Sequence, residues 1–168
     1  GADQAKYAIP YTHEKSHLSD SCWKLKTHLM GVIVHNGGHY AYTITDNVKM
    51  GNNATIDVLQ RTLLKHLEKN GYIPRKLYLQ LDNTTRQCKG RYLMAYVAYL
   101  VDHGVFDKVV VSFLPVGHTH EDIDQLFSRI SMKLRTLNCW DMEDMGDAIH
   151  ESFKRNHQRP DVYHLTSL

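Results

Sequence analysis

The stretch DKVVVSFLP, Asp107–Pro115, does more than any other to limit the folds open to this chain. It is apolar at nearly every central position and rich in β-branched residues. A strand with one wet face alternates polar and apolar residues, whereas an unbroken run signals cover on both faces, as in parallel sheets. The next segment, HEDIDQLFSRISMKLR, changes period. Ile123, Leu126, Phe127, Ile130 and Leu134 fall on one side of a helix. A buried strand followed by an amphipathic helix requires an α/β layered fold.

The rest of the chain extends that pattern. KLKTHLMGVIV and HYAYTIT, joined by HNGGH, read as an antiparallel hairpin with Asn-Gly and Gly-Gly at the turn. NNATIDVLQRTLLKHLEKNG reads as a helix capped by Asn52 or Asn53, with a stripe of Ile56, Leu59, Leu63 and Leu67 and a stop at Gly71. RKLYLQLDN is a strand ending in an acid and an amide. TRQCKGRYLMAYVAYLVDHG is a helix with Tyr92, Tyr96, Val97 and Leu100 on one side, weakened in its first turns by Gly90. A last helix is expected over 141–156, and the tail after Pro160 gives no clear signal. Residues 1–22 are polar and irregular and read as an arm. An antiparallel hairpin leading into parallel βα units is the pattern of a ribonuclease-H-like, three-layer mixed sheet with flanking helices. That fold has one more strand, the first and central one, and no good apolar strand precedes Lys24. The expectation is a single domain with residues 24–135 as its core and its first central strand missing.

In open α/β sheets, ligands sit outside the carboxyl ends of the strands. Two such ends carry chemistry here. In LQLDNTTRQCK, Asp82 ends a strand. It is either a cap for the following helix or an oxygen ligand for a hard cation such as Mg²⁺ or Mn²⁺. Arg86, Lys89 and Arg91 follow, as a solvated helical face or as contacts to phosphate oxygens. In LPVGHTHEDIDQLF, Thr119 and Asp122 have capping-box spacing, and Glu121 points away from the apolar stripe. Asp124 lies on the flank of that stripe, with His120 four residues before it and His118 near the strand end. Two carboxylates at neighbouring strand ends, Asp82 and Asp124, suit two-metal phosphoryl transfer, which usually needs a third acid. Asp3 is the candidate in the arm and Asp46, at the end of the hairpin, a weaker one.

Bulk properties exclude less. The 168 residues carry a formal net charge of +2, so no broad basic footprint marks the chain as a nucleic-acid binder, although local patches are allowed. The apolar runs are too short to span a bilayer, and GADQAKYAIP does not read as a signal peptide. Cys22, Cys88 and Cys139 form no CxxC pair, which speaks against a disulfide scaffold and for a reducing compartment. His13, His17 and Cys22 have loosely zinc-like spacing without a fourth ligand, so a polar loop is the preferred reading.

GADQAK, LQLDNTTRQCK and GVFDKVVVSFLPVGHTHEDIDQLF together resemble a family of uncharacterised domains found in transposon-derived proteins. Members show D-G-x-D-Q-x-K, then a strand ending D-N-x-x-x-x-x-K, then G-H-T-H-x-x-x-D with an aromatic three residues later. The resemblance covers about Gly1 to Leu134. It implies a DDE-type transposase or integrase fold, acting on DNA such as transposon ends, with Asp82 as second acid and Asp124 as third. Asn83, Gln87, Lys89, His118 and Thr119 become motif residues of unassigned role. The family's first acid precedes the Gly with which this sequence begins, and Asp3 corresponds to the second acid of that first motif. The implied cofactor is Mg²⁺ or Mn²⁺ in a two-metal site. The implied location is nuclear or otherwise intracellular, with no membrane and with room for a homo-oligomer.

Two other readings stay open. The domain is a non-catalytic module that keeps the fold to bind DNA or protein, which the absent first acid favours. Alternatively GHTH belongs to a calcineurin-like metallophosphoesterase, whose other motifs, D-x-H, G-D and G-N-H-[DE], are not found upstream.

Overall fold

The computed structural model describes residues 2–12, 23–81, 90–113, 122–153 and 159–166, with side chains from Lys6 onward. The protein is mixed α/β. Its chain divides into two compact units, one centred on residues 49–118 and the other built from residues 3–48 with 119–167. Among the described residues no helix is long and apolar enough to cross a membrane.

The second unit holds strands β1 (Ala2–Ile9), β2 (Leu25–Val34), β3 (Gly38–Thr45) and β6 (Asp161–Leu165) and helices α3 (Asp122–Leu134) and α4 (Met142–Glu151). Its sheet runs in the order β1-β2-β3-β6. β2 and β3 form the expected antiparallel hairpin, in register from Thr27↔Thr45 to Val34↔Gly38. Asn36 in the turn has φ 62°, a conformation that asparagine tolerates better than most residues.

Strand β1 corrects the expectation of an irregular arm, and it lies at the edge of its sheet, not at the centre where the expected first strand belongs. Its sequence, ADQAKYAI, has few strand-forming side chains. Pairing with β2 and burial of Ile9 and Tyr7 against the core override that weak local preference. Strand β6 lies in the tail where the sequence gives no signal. It pairs parallel with β3, from Tyr40↔Asp161 to Ile44↔Leu165. Thr43 and His164 share a hydrogen bond of 2.5 Å across this pair, and Tyr42 stacks on Tyr163 with ring centroids 5.3 Å apart.

One face of this sheet, carrying Leu29 and Ala41, packs on α3 and α4. Ile123, Leu126, Ile130 and Leu134 are buried there as the helical period predicts, with Phe127 partly buried beside them. α3 approaches β2 at Gly31, where a Cβ would lie 2.9 Å from Leu126 Cδ2 and 3.1 Å from both Ile123 Cδ1 and Phe127 Cζ. The opposite sheet face buries Met30, Tyr40, Tyr42 and Ile44. Helix α4 starts at Asp141, whose carboxylate accepts from Asp144 N at 2.8 Å, while Asp144 accepts from Trp140 N at 2.8 Å. This reciprocal cap fixes the start of the last helix, which ends at Glu151 rather than near 156.

The first unit holds β4 (Lys76–Leu81), β5 (Lys108–Phe113), α1 (Asn52–Asn70) and α2 (Arg91–Asp102). β4 and β5 are parallel, in register from Lys76↔Lys108 to Leu81↔Phe113. Leu79, Leu81, Val111 and Phe113 face Ile56, Leu59, Leu93 and Met94 of the two helices. At the strand starts Arg75 donates to both carboxylate oxygens of Asp107 at 2.6 Å.

Several sequence expectations need correction here. No side chain caps α1; Gly51 occupies the cap position. Its buried residues are Ala54, Thr55, Val58 and Thr62, not a stripe reaching Leu67, which is exposed. The helix span, the packing of Ile56 and Leu59, and the stop at Gly71 with φ 75° follow the sequence expectation. In α2 the buried stripe runs Leu93, Val97 and Leu100, with Tyr92 exposed. Gly90 is the N-cap, not a weak point inside the helix, and a Cβ there would collide with the Asn52 amide group. β5 is not buried on both faces. Lys108 and Ser112 are exposed and Val110 is half-buried, as are Val109, Val111 and Phe113.

Candidate functional site

The site expected from the sequence rests on carboxylates at strand ends. β4 stops at Leu81, so Asp82 is the next residue of the chain after that strand. Asp82 itself, with Asn83, Arg86, Gln87 and Lys89, lies outside the described residues, as do His118, Thr119, His120 and Glu121. The zinc-like set His13, His17 and Cys22 also lies outside them. Asp3 falls on β1, away from its carboxyl end; only its backbone is described.

Asp124 and Arg91 are the predicted site residues whose side chains are described. Asp124 sits in the first turn of α3 with Asp122. It is half-buried while Asp122 is exposed, which follows from its place on the flank of the Ile123 and Leu126 stripe. Both acids complement the positive end of the helix dipole. Arg91 opens α2 and is exposed. Its guanidinium lies 4.9 Å from the centroid of the Tyr92 ring and donates to Tyr92 Oη at 3.0 Å. Asp124 and Arg91 belong to different units.

Asp46, the weaker candidate acid, follows β3 and has a partner that the sequence did not disclose. His28 on β2 places Nε2 4.0 Å from Asp46 Oδ1. Burial lowers the His28 pKa from its ordinary value, Lys6 on β1 adds to that, and Asp46 opposes it. His28 Nδ1 is buried without a hydrogen-bond partner among the described residues. A neutral imidazole beside one exposed carboxylate does not make a metal site. Among the described residues, no group of three or more His, Cys, Asp or Glu side chains could hold a metal ion. Cys139 is buried and free, with its thiol pKa raised by burial first and by the nearby Asp144 and Asp141 second.

A further feature, which no sequence motif marks, is the outer face of the first unit's sheet. Alternation in KLYLQL and the parallel register place Lys76, Tyr78 and Gln80 beside Lys108, Val110 and Ser112. Both helices pack on the other face. Tyr78 is 74% exposed, and the two lysines are exposed register partners.

No curated protein and no solved structure matches the chain. A family model described as "Domain of unknown function (DUF7869)" matches residues 17–168, most of the sequence. The chain therefore belongs to that family of domains of unknown function.

Proposed function

We propose that this domain has a ribonuclease-H-like fold of the DDE transposase and integrase type and performs divalent-metal-dependent phosphoryl transfer on DNA. The observation that carries the reading is the order of elements. A first strand lies beside an antiparallel hairpin, and two parallel strands follow, each leading through a motif-bearing segment into a helix. Strand β1, at the edge of the β1-β2-β3-β6 sheet, supplies a strand ahead of the hairpin and carries Asp3.

In this reading Asp82, Asp124 and Asp3 form the acidic set. Carboxylate oxygens are the donors that Mg²⁺ and Mn²⁺ prefer, so the donor chemistry fits those ions. When bound, two such ions stabilise charge on the attacking and leaving oxygens of an in-line displacement. The chain's own part is to fix the carboxylates on rigid elements. Asp124 is anchored by a helix whose apolar stripe is locked in the core, and Asp82 directly follows a strand of six residues. Arg86, Lys89 and Arg91 would hold DNA phosphates near the start of α2. A nuclear location and assembly on transposon ends belong to the same proposal.

The test is nicking or strand transfer on plasmid DNA with Mn²⁺ or Mg²⁺. Asp82→Ala or Asp124→Ala is expected to lower the rate by about a hundredfold or more, the scale of several kcal/mol of lost transition-state stabilisation. Equal rates in the wild type and both variants would remove the proposal.

A further inference from the structure

We infer that the outer face of the β4–β5 sheet is a binding surface for a single strand of nucleic acid, with Tyr78 stacking on a base and Lys76 and Lys108 holding phosphates. Its residues are none of the acidic set proposed above, and it requires no metal.

The layer architecture of this unit is unusual. A parallel sheet normally has both faces covered. Here α1 and α2 cover one face, and the other carries polar and exposed residues. Exposure alone would suit a solvated surface, but the residues are ill chosen for water. Lys76 and Lys108 are direct register partners, so like charges stand side by side across strands separated by roughly 4.8 Å. Neither makes an ion pair among the described residues. Asp107, next to Lys108 in the chain, is already held by two donors of Arg75. Its pKa is lowered by that hydrogen bond chiefly and by Lys76 least. The end of the sheet therefore has a surplus of positive charge that an anion would relieve.

Tyr78 supplies the second element. It lies two residues along β4 from Lys76, roughly 6.6 Å at the usual rise per residue. Its register partner is Val110, a half-buried apolar side chain. An exposed aromatic ring on a sheet face, with a branched aliphatic as its register partner and cations one step along the strand, offers a base face and a phosphate grip at once. Stacking needs an unpaired base, so the surface selects single strands over duplexes. An acidic peptide could satisfy the lysines but would leave the ring unused.

The experiment uses the 168-residue chain, in EDTA, with labelled oligo(dT) of about 16 nucleotides and a duplex of equal length, followed by fluorescence anisotropy. The wild type is expected to bind the single strand more tightly than the duplex. Tyr78→Ala should weaken single-strand binding about tenfold, whereas Tyr78→Phe should retain it, because the ring is kept. Tyr72→Ala, at another exposed tyrosine of the same unit, should leave it unchanged. Lys76→Ala with Lys108→Ala should weaken binding and flatten the log–log salt slope by about 1.4, as two lost phosphate contacts require. Tyr78 and both lysines are exposed, so these variants should fold, and circular dichroism checks that they do.

Absence of binding, or equal losses from Tyr72→Ala and Tyr78→Ala, would overturn the inference. So would a Tyr78-dependent self-association seen by sedimentation without oligonucleotide, which would make the face a contact between copies. Failure of the acidic set shows only in metal-dependent cleavage, so the two readings fail separately.

Discussion

At the scale of single residues, a buried tyrosine and a half-buried histidine make different predictions. Tyr40 is 1% exposed, and its hydroxyl has no hydrogen-bond partner among the described residues. Burial raises its pKa first, with Asp161 and Tyr163 adding to the shift. A buried hydroxyl without a partner costs free energy. Tyr40→Phe is therefore expected to be neutral or to stabilise the protein by up to about 1–3 kcal/mol, read by urea unfolding. His28 behaves differently. Its folded pKa lies below the unfolded 6.5, so the unfolded state takes up the proton first as pH falls. Its neutral form is compatible with full stability above pH 6.5. Stability is lost as pH drops from there toward the folded pKa, and the loss levels off below it. Comparing His28→Gln with the wild type across this window isolates that residue from the other histidines. A shallower pH dependence in the variant is the expected outcome, and identical slopes would contradict the burial argument. The residues of the candidate site were legible to different degrees. Asp124 could be placed because its flank position follows from helical geometry. The His28–Asp46 approach could not be read, because it depends on the register between β2 and β3.

At the scale of elements, legibility followed how local the stabilising contacts are. The hairpin and α3 were readable because their alternation and their stripe lie within the segments themselves. β1 and β6 were not, because ADQAKYAI and DVYHL gain strand geometry by pairing with β2 and β3. The stripe assigned to α1 held at Ile56 and Leu59 and gave out by Leu67, for a related reason. Helical periodicity gives a direction, but only tertiary packing decides how far along the helix that direction remains covered. Two elements carry direct tests. Gly31 lets α3 sit close on β2, so Gly31→Val must push Leu126, Ile123 and Phe127 aside together. A loss of about 1–3 kcal/mol is expected, seen as a lower urea midpoint at unchanged slope. The reciprocal cap at the start of α4 predicts that Asp141→Ala costs about 1 kcal/mol, equivalent to a drop of roughly 2–4 °C in Tm for a chain of this size. The Asp141→Asn variant keeps an accepting oxygen and should recover most of that loss.

At the scale of the whole molecule, the chain interrupts one unit to make the other. Residues 49–118 are contiguous, while the second unit is assembled from segments on either side of them. Its last join is made by β6, where Thr43 Oγ1 donates to the carbonyl of Tyr163 across 120 residues of sequence. This connection sets a timetable for biosynthesis. The hairpin emerges early with the outer edge of β3 unpaired, and that edge must stay so until the end of the described chain has been made. A nascent chain stalled before Asp161 would present an open, Tyr-rich edge to its neighbours, the kind of template on which strands from other chains add. The contiguous unit has no such wait, so amides of β4 and β5 should gain protection from hydrogen exchange before those shared by β3 and β6 during refolding.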